Sequence, residues 1–589
     1  MQPPRFEIAE CPSADVARLR RELGVSGALA QVLVRRGLAD PDGARAFLAA
    51  DEEHPPGSFA GIERAVATIL SHVRAGRRIT IHGDYDVDGI CSTAVLVRAL
   101  RGLGADVDHY LPDRMGDGYG LAAATVRRLA DRGTSLLVNA DCAITAVAEV
   151  ALARELGLDV VVTDHHAPRA DGALPDAPIV HPALCGYPCA DLCATAVAYK
   201  LAQALVQAVG EDPRALERDL DLVALATVAD VVTLRGENRA LVRRGLRALA
   251  TTAKPGLRAL MRVARVEPGR VDERAIGFAL APRLNAAGRL YRADAGLELL
   301  LTEDRLRAAQ VADELDRANH ERREVETRIR WEAEAQIAEL GERGAYVLAG
   351  EGWHAGVVGI VAARLAERHH RPVVLIALAG DRGRGSGRSV PAFDLLAGLD
   401  ACSEHVLRHG GHRAAAGLEI ERGCVAALAR AFEAHAERAL APADLVAVER
   451  VDAVVGGDEL SMALAEELQS LAPFGRGNPA VSLMLADATF ADVRPMGEGR
   501  HARFTVRSRG ARARAVAFGS GATLPVAEGE PVEATFKLEV NEFNGVSEPR
   551  LVLRHARAVA QAVQAARLSR GPEPEPLEED GELVLFAAT

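Results

Sequence analysis

The chain has 589 residues, of which 49% are hydrophobic and 4% aromatic, and its formal net charge is -12 at pH 7. That length exceeds what a single hydrophobic core supports and predicts about three or four domains. The acidic balance excludes a protein that coats nucleic acid with its whole surface, but not an enzyme whose basic groups line one channel.

No uninterrupted apolar run of about 18 residues occurs, and Met1 to Leu19 lacks a basic stretch followed by an apolar one. The expected location is therefore cytoplasmic, without a membrane. The 8 cysteines are expected as free thiols. Only Cys185, Cys189 and Cys193, with His181 ahead of them, have metal-like spacing, and Gly186 and Pro188 interrupt any helix that would align them.

In chain order, strands are predicted at Ile79–His82, Val107–Leu111, Leu136–Ala140, Val160–Thr163 and Ile179–His181, with helix-length stretches such as Ile90–Leu100 and Ala143–Leu156 between them. That alternation predicts a parallel α/β sheet. From about Glu303 to Leu340 the chain is charged, free of glycine and proline, and helical in pattern, which predicts a connector about 50 Å long. A second α/β unit follows, with strands Ala345–Ala349 and Val373–Ile376 and helix Val357–Arg368, plus two glycine-rich segments, Arg384–Ser389 and His409–Gly417. Strand-like runs between Val451 and Val559, such as Ala534–Val540 and Arg550–Leu553, fit a small barrel, and the proline- and glutamate-rich Gly571–Asp580 is expected to be disordered.

Ligands of open α/β sheets bind beyond the carboxyl ends of the strands. There the sequence places His82, Asp84, Asp86 and Asp88, then Asp141, then Asp164-His165-His166. Carboxylates about 4 Å apart repel by roughly 1 kcal/mol per pair even in water, so a divalent cation is the natural counter-charge. His82, Asp86, Asp88, Asp141, His165 and Asp230, after the apolar Leu222–Ala229, offer six oxygen and nitrogen ligands, with Asp141 placed to bridge two ions. Such a set suits two manganese or magnesium ions rather than structural zinc, and two ions predict phosphoryl hydrolysis without a serine or cysteine nucleophile.

The sequence Asp164-His165-His166, together with His82-Gly83-Asp84-Tyr85-Asp86-Val87-Asp88-Gly89, resembles the DHH phosphoesterase superfamily. Further segments narrow the resemblance to the RecJ family of single-strand-specific 5′ to 3′ exonucleases. They include Leu111-Pro112-Asp113-Arg114, Thr227–Val232, Pro282-Arg283-Leu284-Asn285-Ala286-Ala287-Gly288-Arg289, Gly385–Ser389, Gly410-Gly411-His412 and Pro473–Pro479. The resemblance implies an α/β protein with a DHH domain and N-terminal helical segment (1–302), a connecting helix (303–340), a DHHA1 domain (341–445), an OB-like barrel (446–565) and an acidic tail (566–589).

It also carries the metal roles onto the six ligands above, and implies orienting or phosphate-contacting roles for Asp84, Asp164 and His166. His412 is expected to reach the scissile phosphate. Arg388, among glycines that permit close approach, is suited to hold a terminal phosphate with Ser386 or Ser389, and Arg114, Arg283, Asn285, Gly410 and Gly411 complete the expected substrate contacts. Phe474, Phe536, Phe543 and His501 are candidates for stacking on a strand. Implied partners are single-stranded DNA with a 5′ end, single-stranded-DNA-binding protein and a RecQ-type helicase. The alternatives are a DHH oligoribonuclease or cyclic-dinucleotide phosphodiesterase, and a non-catalytic repair scaffold.

One departure stands out: Ala143, Ala194, Ala196, Ala226 and Ala281 occupy positions where RecJ relatives usually have glycine. Wherever such a glycine has positive φ, a Cβ costs about 1 kcal/mol. The tail, with acids preceding Leu583-Val584-Leu585-Phe586, is a candidate docking segment for a basic, apolar-lined groove.

Overall fold

The computed structural model describes residues 3–112, 120–290, 294–521, 523–543 and 545–559. Arg114 and the acidic tail lie outside the described residues. The chain forms two compact units: Asp42–Ala447 with Leu471–Ala480, and residues 3–41 with Val448–Ser470 and residues 481–559.

The first unit opens on a five-stranded parallel sheet built from β1 (Ile79–His82), β2 (Val107–Tyr110), β3 (Leu136–Ala140), β4 (Asp159–Thr163) and β5 (Ile179–Val180), in the order β2-β1-β3-β4-β5. Every residue of β1 and β3 is buried, as expected for strands covered on both faces. Around them lie α1 (Val87–Gly102), α2 (Ala194–Ala208), α3 (Leu220–Ala229) and α4 (Ala281–Leu290), the last preceded by a turn of π-helix, Ile276–Leu280. All 8 cysteines are free, Cys185, Cys189 and Cys193 among them.

The connector is the 36-residue helix α5 (Arg305–Leu340), capped by Asp304 accepting from the amides of Leu306 and Arg307. Its first half buries Ala308, Val311, Ala312 and Leu315 in the core of the parallel sheet. Its second half buries Ile329, Ala333 and Ile337 in another core, shared with the helix α6 (Ala355–His369).

The second sheet contains β6 (Tyr346–Glu351), β7 (Val373–Ala379), β8 (Arg382–Arg388), β9 (Arg408–His412) and β10 (Ala415–Glu421), in the order β9-β10-β8-β7-β6; only β6 and β7 pair in parallel. The first glycine-rich segment is a strand rather than a loop. Gly383, Gly385 and Gly387 recur at period two, and a Cβ on them would lie 2.6 Å from Ile376, 2.9 Å from Leu418 and 3.0 Å from Leu395. Neighbouring side chains fill the space that this strand leaves vacant, so its glycines are a packing requirement.

The second unit holds the N-terminal residues that the sequence reading grouped with the parallel sheet. Strand Arg5–Ile8 pairs in parallel with Val448–Val451, and the Arg36 guanidinium grips Asp452 through two bonds of 2.9 Å. Partners separated by 416 residues leave no local signal in the sequence. The rest is a closed five-stranded barrel of β11 (Leu483–Met496), β12 (His501–Ser508), β13 (Ala511–Ala517), β14 (Val532–Phe543) and β15 (Val546–Ala558). β13 and β15 pair in parallel, and β11 with β14 closes the ring. Among the described residues no helix is long and apolar enough to cross a membrane.

Candidate metal centre

The acidic motif is a strand-to-helix turn drawn tight by two glycines. A Cβ on Gly83 would collide with the hydroxyl of Thr93, and one on Gly89 would sit 2.5 Å from the backbone of Asp84. Between them Asp86 caps α1, its Oδ1 accepting from the amides of Asp88 (3.0 Å) and Gly89 (3.1 Å). Asp88 reaches in the other direction, to the N-terminus of α2. Its Oδ2 accepts from the Ala194 amide (2.8 Å), and its Oδ1 from the amide (2.8 Å) and hydroxyl (2.6 Å) of Thr195, where the helix dipole favours an anion.

Beyond the ends of β3 and β4 the remaining groups converge. His165 Nε2 lies 3.4 Å from Asp141 Oδ1, 3.7 Å from Asp88 Oδ2 and 3.7 Å from Asp230 Oδ2, and His166 Nδ1 is 3.7 Å from Asp141 Oδ1. Three donor sets result, each with ligand atoms within 4.8 Å of one another: Asp84, Asp86 and Asp141; Asp141, His165 and His166; Asp88, His165 and Asp230. Asp141 belongs to two of them, at a φ of 68° that turns its carboxylate off the strand.

His82 lies outside all three sets. Its Nδ1 is 3.4 Å from Cys142 Sγ, and its ring stacks on Tyr110 at 5.7 Å. Asp84 and His166, which the sequence reading held to be orienting groups, stand within donor sets. The turn that carries Asp84 is held tight by Gly83 and Gly89, which press against their neighbours. Asp164 orients others: its Oδ1 accepts from the amides of His165 (2.7 Å) and His166 (3.1 Å) and from His166 Nδ1 (2.8 Å), and its Oδ2 from the Ile144 amide (2.9 Å).

Burial and mutual repulsion dominate the electrostatics of the site. Burial, then the charges of Asp88, Asp86, Asp84 and Asp164, push the Asp141 carboxyl well above the usual range. Burial with Asp88 and Asp86 pushes Asp230 up to about 8. Burial would lower His166, but the hydrogen bond and charge of Asp164, then Asp230 and Asp88, hold it at about 9. Asp164 falls below the ordinary carboxylate value, since His166 and two backbone amides outweigh its burial. Asp141 Oδ1 and His165 Nε2 are buried without a hydrogen-bond partner. Buried orphans of this kind, in an all-oxygen-and-nitrogen donor set without thiolate, fit hard divalent cations such as manganese or magnesium.

The second sheet faces this edge across a cavity of about 480 Å³, whose lining includes Ala143, Asp164, His166, Arg169 and His412. Gly411, at φ 144° with a Cβ position 2.5 Å from the Ala415 carbonyl, lets the hairpin carry His412 there, and Gly410 beside it is open on all sides. Arg388 donates to Ser386 Oγ (3.1 Å) and to the Gly387 carbonyl (2.8 Å). Sequence reasoning missed Gly359 of α6. A Cβ there would lie 2.9 Å from Ser386 Oγ and 3.4 Å from an Arg388 nitrogen, so the helix comes close only because it has glycine. The available signal was a glycine inside a helical pattern, where it costs about 1 kcal/mol against alanine.

The hydroxyl of Ser389 donates to the Phe393 carbonyl (2.9 Å), and Arg283 donates to Asp316 of α5 (2.8 Å) and to the Ala279 carbonyl (2.7 Å). Asn285 is half-buried on α4. Of the stacking candidates, Phe536 is barrel core with Phe490 and Phe504, Phe474 belongs to the first unit, and the Phe543 side chain lies outside the described residues. His501 meets Phe518 edge-on at 5.3 Å, and Phe518, half exposed, was not anticipated. Ala143 is the one substituted glycine position at positive φ, 83°.

Similarity to known proteins matches this architecture segment by segment. Residues 78–227 match the DHH family N-terminal domain, 341–439 the DHHA1 domain and 451–555 the RecJ OB domain. A single-stranded-DNA-specific exonuclease RecJ of Bacillus subtilis is 36% identical over 562 residues, covering 94% of this chain and 70% of the relative. The crystal structure of RecJ from Thermus thermophilus in complex with Mn2+ superposes with a TM-score of 0.82 at 31% identity, covering 96% of this chain and 83% of that one. The same protein in complex with Mg2+ gives 0.77 at 29% identity, covering 96% and 82%. With all three domain types in order and more than nine-tenths of its length matched, the chain belongs to the RecJ family of single-stranded-DNA-specific exonucleases.

Proposed function

We propose that the chain degrades single-stranded DNA from its 5′ end, releasing mononucleotides by hydrolysis at a centre of two manganese or magnesium ions. The observation that carries the reading is the meeting of three donor sets, drawn from four stretches of chain, at one sheet edge, linked by Asp141 and His165, each a member of two sets. When bound, the ions supply an activated water and charge stabilisation for the departing oxygen.

The protein's own groups do the rest. Asp84, Asp86, Asp88, Asp141, His165, His166 and Asp230 would hold the cations, while Asp164 orients the His166 ring and the amides of His165 and His166. His412, on the far wall of the cavity, is placed to donate to a non-bridging oxygen of the scissile phosphate. Ser386 and Arg388, clasped by Gly359, form a cationic pocket for the terminal phosphate, with Arg114 as a further cation. A closed pocket for the 5′ phosphate sets both polarity and the one-nucleotide step. The barrel retains the strand by backbone charge and stacking.

The reading extends to a cytoplasmic enzyme of repair and recombination whose substrate is delivered by a RecQ-type helicase and covered by single-stranded-DNA-binding protein. The test is digestion of 5′- and 3′-labelled single strands with manganese, comparing the wild type with Asp141→Asn. Expected are mononucleotides from the 5′ end and, for the variant, a loss on the order of a thousandfold, since several kcal/mol of charge stabilisation disappear. Faster cleavage of dinucleotides than of long strands would overturn the reading in favour of an oligonucleotide or cyclic-dinucleotide phosphodiesterase.

A further inference from the structure

The chain bends sharply where α3 delivers Asp230 to its donor set. Val231, the next residue, has φ 57° and is 58% exposed. A β-branched residue in the left-handed region is a costly conformation, and strain of this kind gathers at functional sites. The Val231 amide bonds back to the Val228 carbonyl at 3.3 Å. The π-helical turn Ile276–Leu280 packs on the same Val228: a Cβ on Gly277 would be 3.9 Å from its Cγ1. Ile276 and Leu280 are fully buried, yet Phe278 between them is 82% exposed, the highest value for a large apolar side chain among the described residues. Single π turns are frequent at functional sites.

The two segments that meet at Val228, two residues before a member of the metal centre, thus each carry an exposed apolar side chain, and one of these is an aromatic ring. Such a patch is too small for a protein interface, which needs several hundred Å² of contact. It matches the π-face of one nucleobase. We propose that Phe278, with Val231, is the platform on which a base of the substrate strand stacks beside the metal centre. The proposal rests on the reading of the chain as a single-strand exonuclease. Stacking tolerates any base but requires an unpaired one, so the ledge favours single strands without reading sequence. It makes Phe278 a positioning residue that acts on how the strand lies and leaves the hydrolytic step unchanged.

The experiment uses the full chain with manganese and 5′-phosphorylated single strands in which one abasic residue is walked inward from the 5′ end. With the wild type, one abasic position raises KM about tenfold, within the range for loss of a single base stack, while kcat changes less than about twofold. Phe278→Ala raises KM for the intact strand by a similar factor and abolishes the dependence on abasic position. Phe278→Trp restores both, and Leu306→Ala, equally exposed at the start of α5, alters neither. An unchanged KM in Phe278→Ala, or an abasic penalty that persists in it, overturns the platform while the exonuclease reading stands. A wild type that leaves all single strands intact overturns the exonuclease reading, and the platform with it.

Discussion

At the carboxyl edge of the parallel sheet Asp84, Asp88, Asp141 and Asp164 are buried together, whereas on the barrel Arg494, Arg503, Arg507, Arg512 and Arg514 stand exposed on three successive strands. Both regions violate the usual pairing rules. The register sets Arg494 opposite Arg503 and Arg507 opposite Arg512, and like charges directly opposite destabilise a sheet. The violations differ in kind, however. Asp88 and Asp164 are locked by a helix N-terminus and by backbone amides, so this charge has a fixed address, suited to a cation of defined coordination. The arginines are exposed and, among the described residues, only Arg514 is tied, to Glu548 at 2.8 Å, so they suit a chain of phosphates that slides. A net charge of -12 therefore conceals two opposed local fields, neither of which is visible in the total.

Breaking the fixed address should give the larger effects. Asp164→Asn, which withdraws the anion beneath His166 and the loop amides, is expected to lower kcat by about 10–100-fold, the usual cost of losing an outer partner of a metal ligand. Activity within twofold of wild type would show that the loop holds itself.

Next comes proton release. Because burial and neighbouring anions hold Asp230 neutral up to about 8, binding a cation must displace that proton. The sign follows: the raised value favours the ion-free fold at low pH, and that contribution is lost as pH rises toward 8, where the anion forms and metal affinity grows by up to about tenfold per pH unit per proton released. Titration calorimetry in two buffers of different ionisation enthalpy checks this. Absence of proton uptake by the buffer near neutral pH would contradict it.

The adaptable surface should respond more gently. Arg503→Gln with Arg507→Gln is expected to raise KM for long strands several-fold, to leave dinucleotide cleavage alone, and to reduce the slope of log K against log salt by about 1.4, roughly 0.7 for each phosphate contact on a single strand. An unchanged slope would remove the barrel face from the binding path. The smallest effect concerns Ala143, at φ 83°. Ala143→Gly relieves about 1 kcal/mol of left-handed strain but frees the unfolded chain by about half as much, for a net gain near 0.5 kcal/mol in denaturant melts. A loss of stability would mean that the Cβ packs usefully.

Much of the fold was legible in the chain. The strands at Ile79–His82 and Leu136–Ala140 and the long helix appear where β-branched runs and the absence of glycine and proline put them. The acids and histidines at the strand ends were legible too, as residues that meet. What stayed hidden depended on direction and distance. The meeting of Asp84 with Asp86 and Asp141 depends on a turn whose two glycines press on Thr93 and Asp84, and the binding of residues 3–41 to the barrel unit depends on an ion pair such as Arg36 with Asp452. The strand Arg382–Arg388 was masked because its glycines follow the volumes of Ile376, Leu418 and Leu395 rather than a propensity of their own.

The helix α5 is a member of two cores at once, with Ala308 to Leu315 in one and Ile329 to Ile337 in the other. Each residue along it advances by about 1.5 Å and turns by about 100°. It is therefore a screw thread as well as a strut. Inserting one residue near Arg323 would swing one core's seat about a quarter-turn relative to the other, and the nearest insertions that restore the phase are of about 7 or 11 residues. Length variation in this protein should be found in its loops and at its ends, with the thread between Arg305 and Leu340 kept to register.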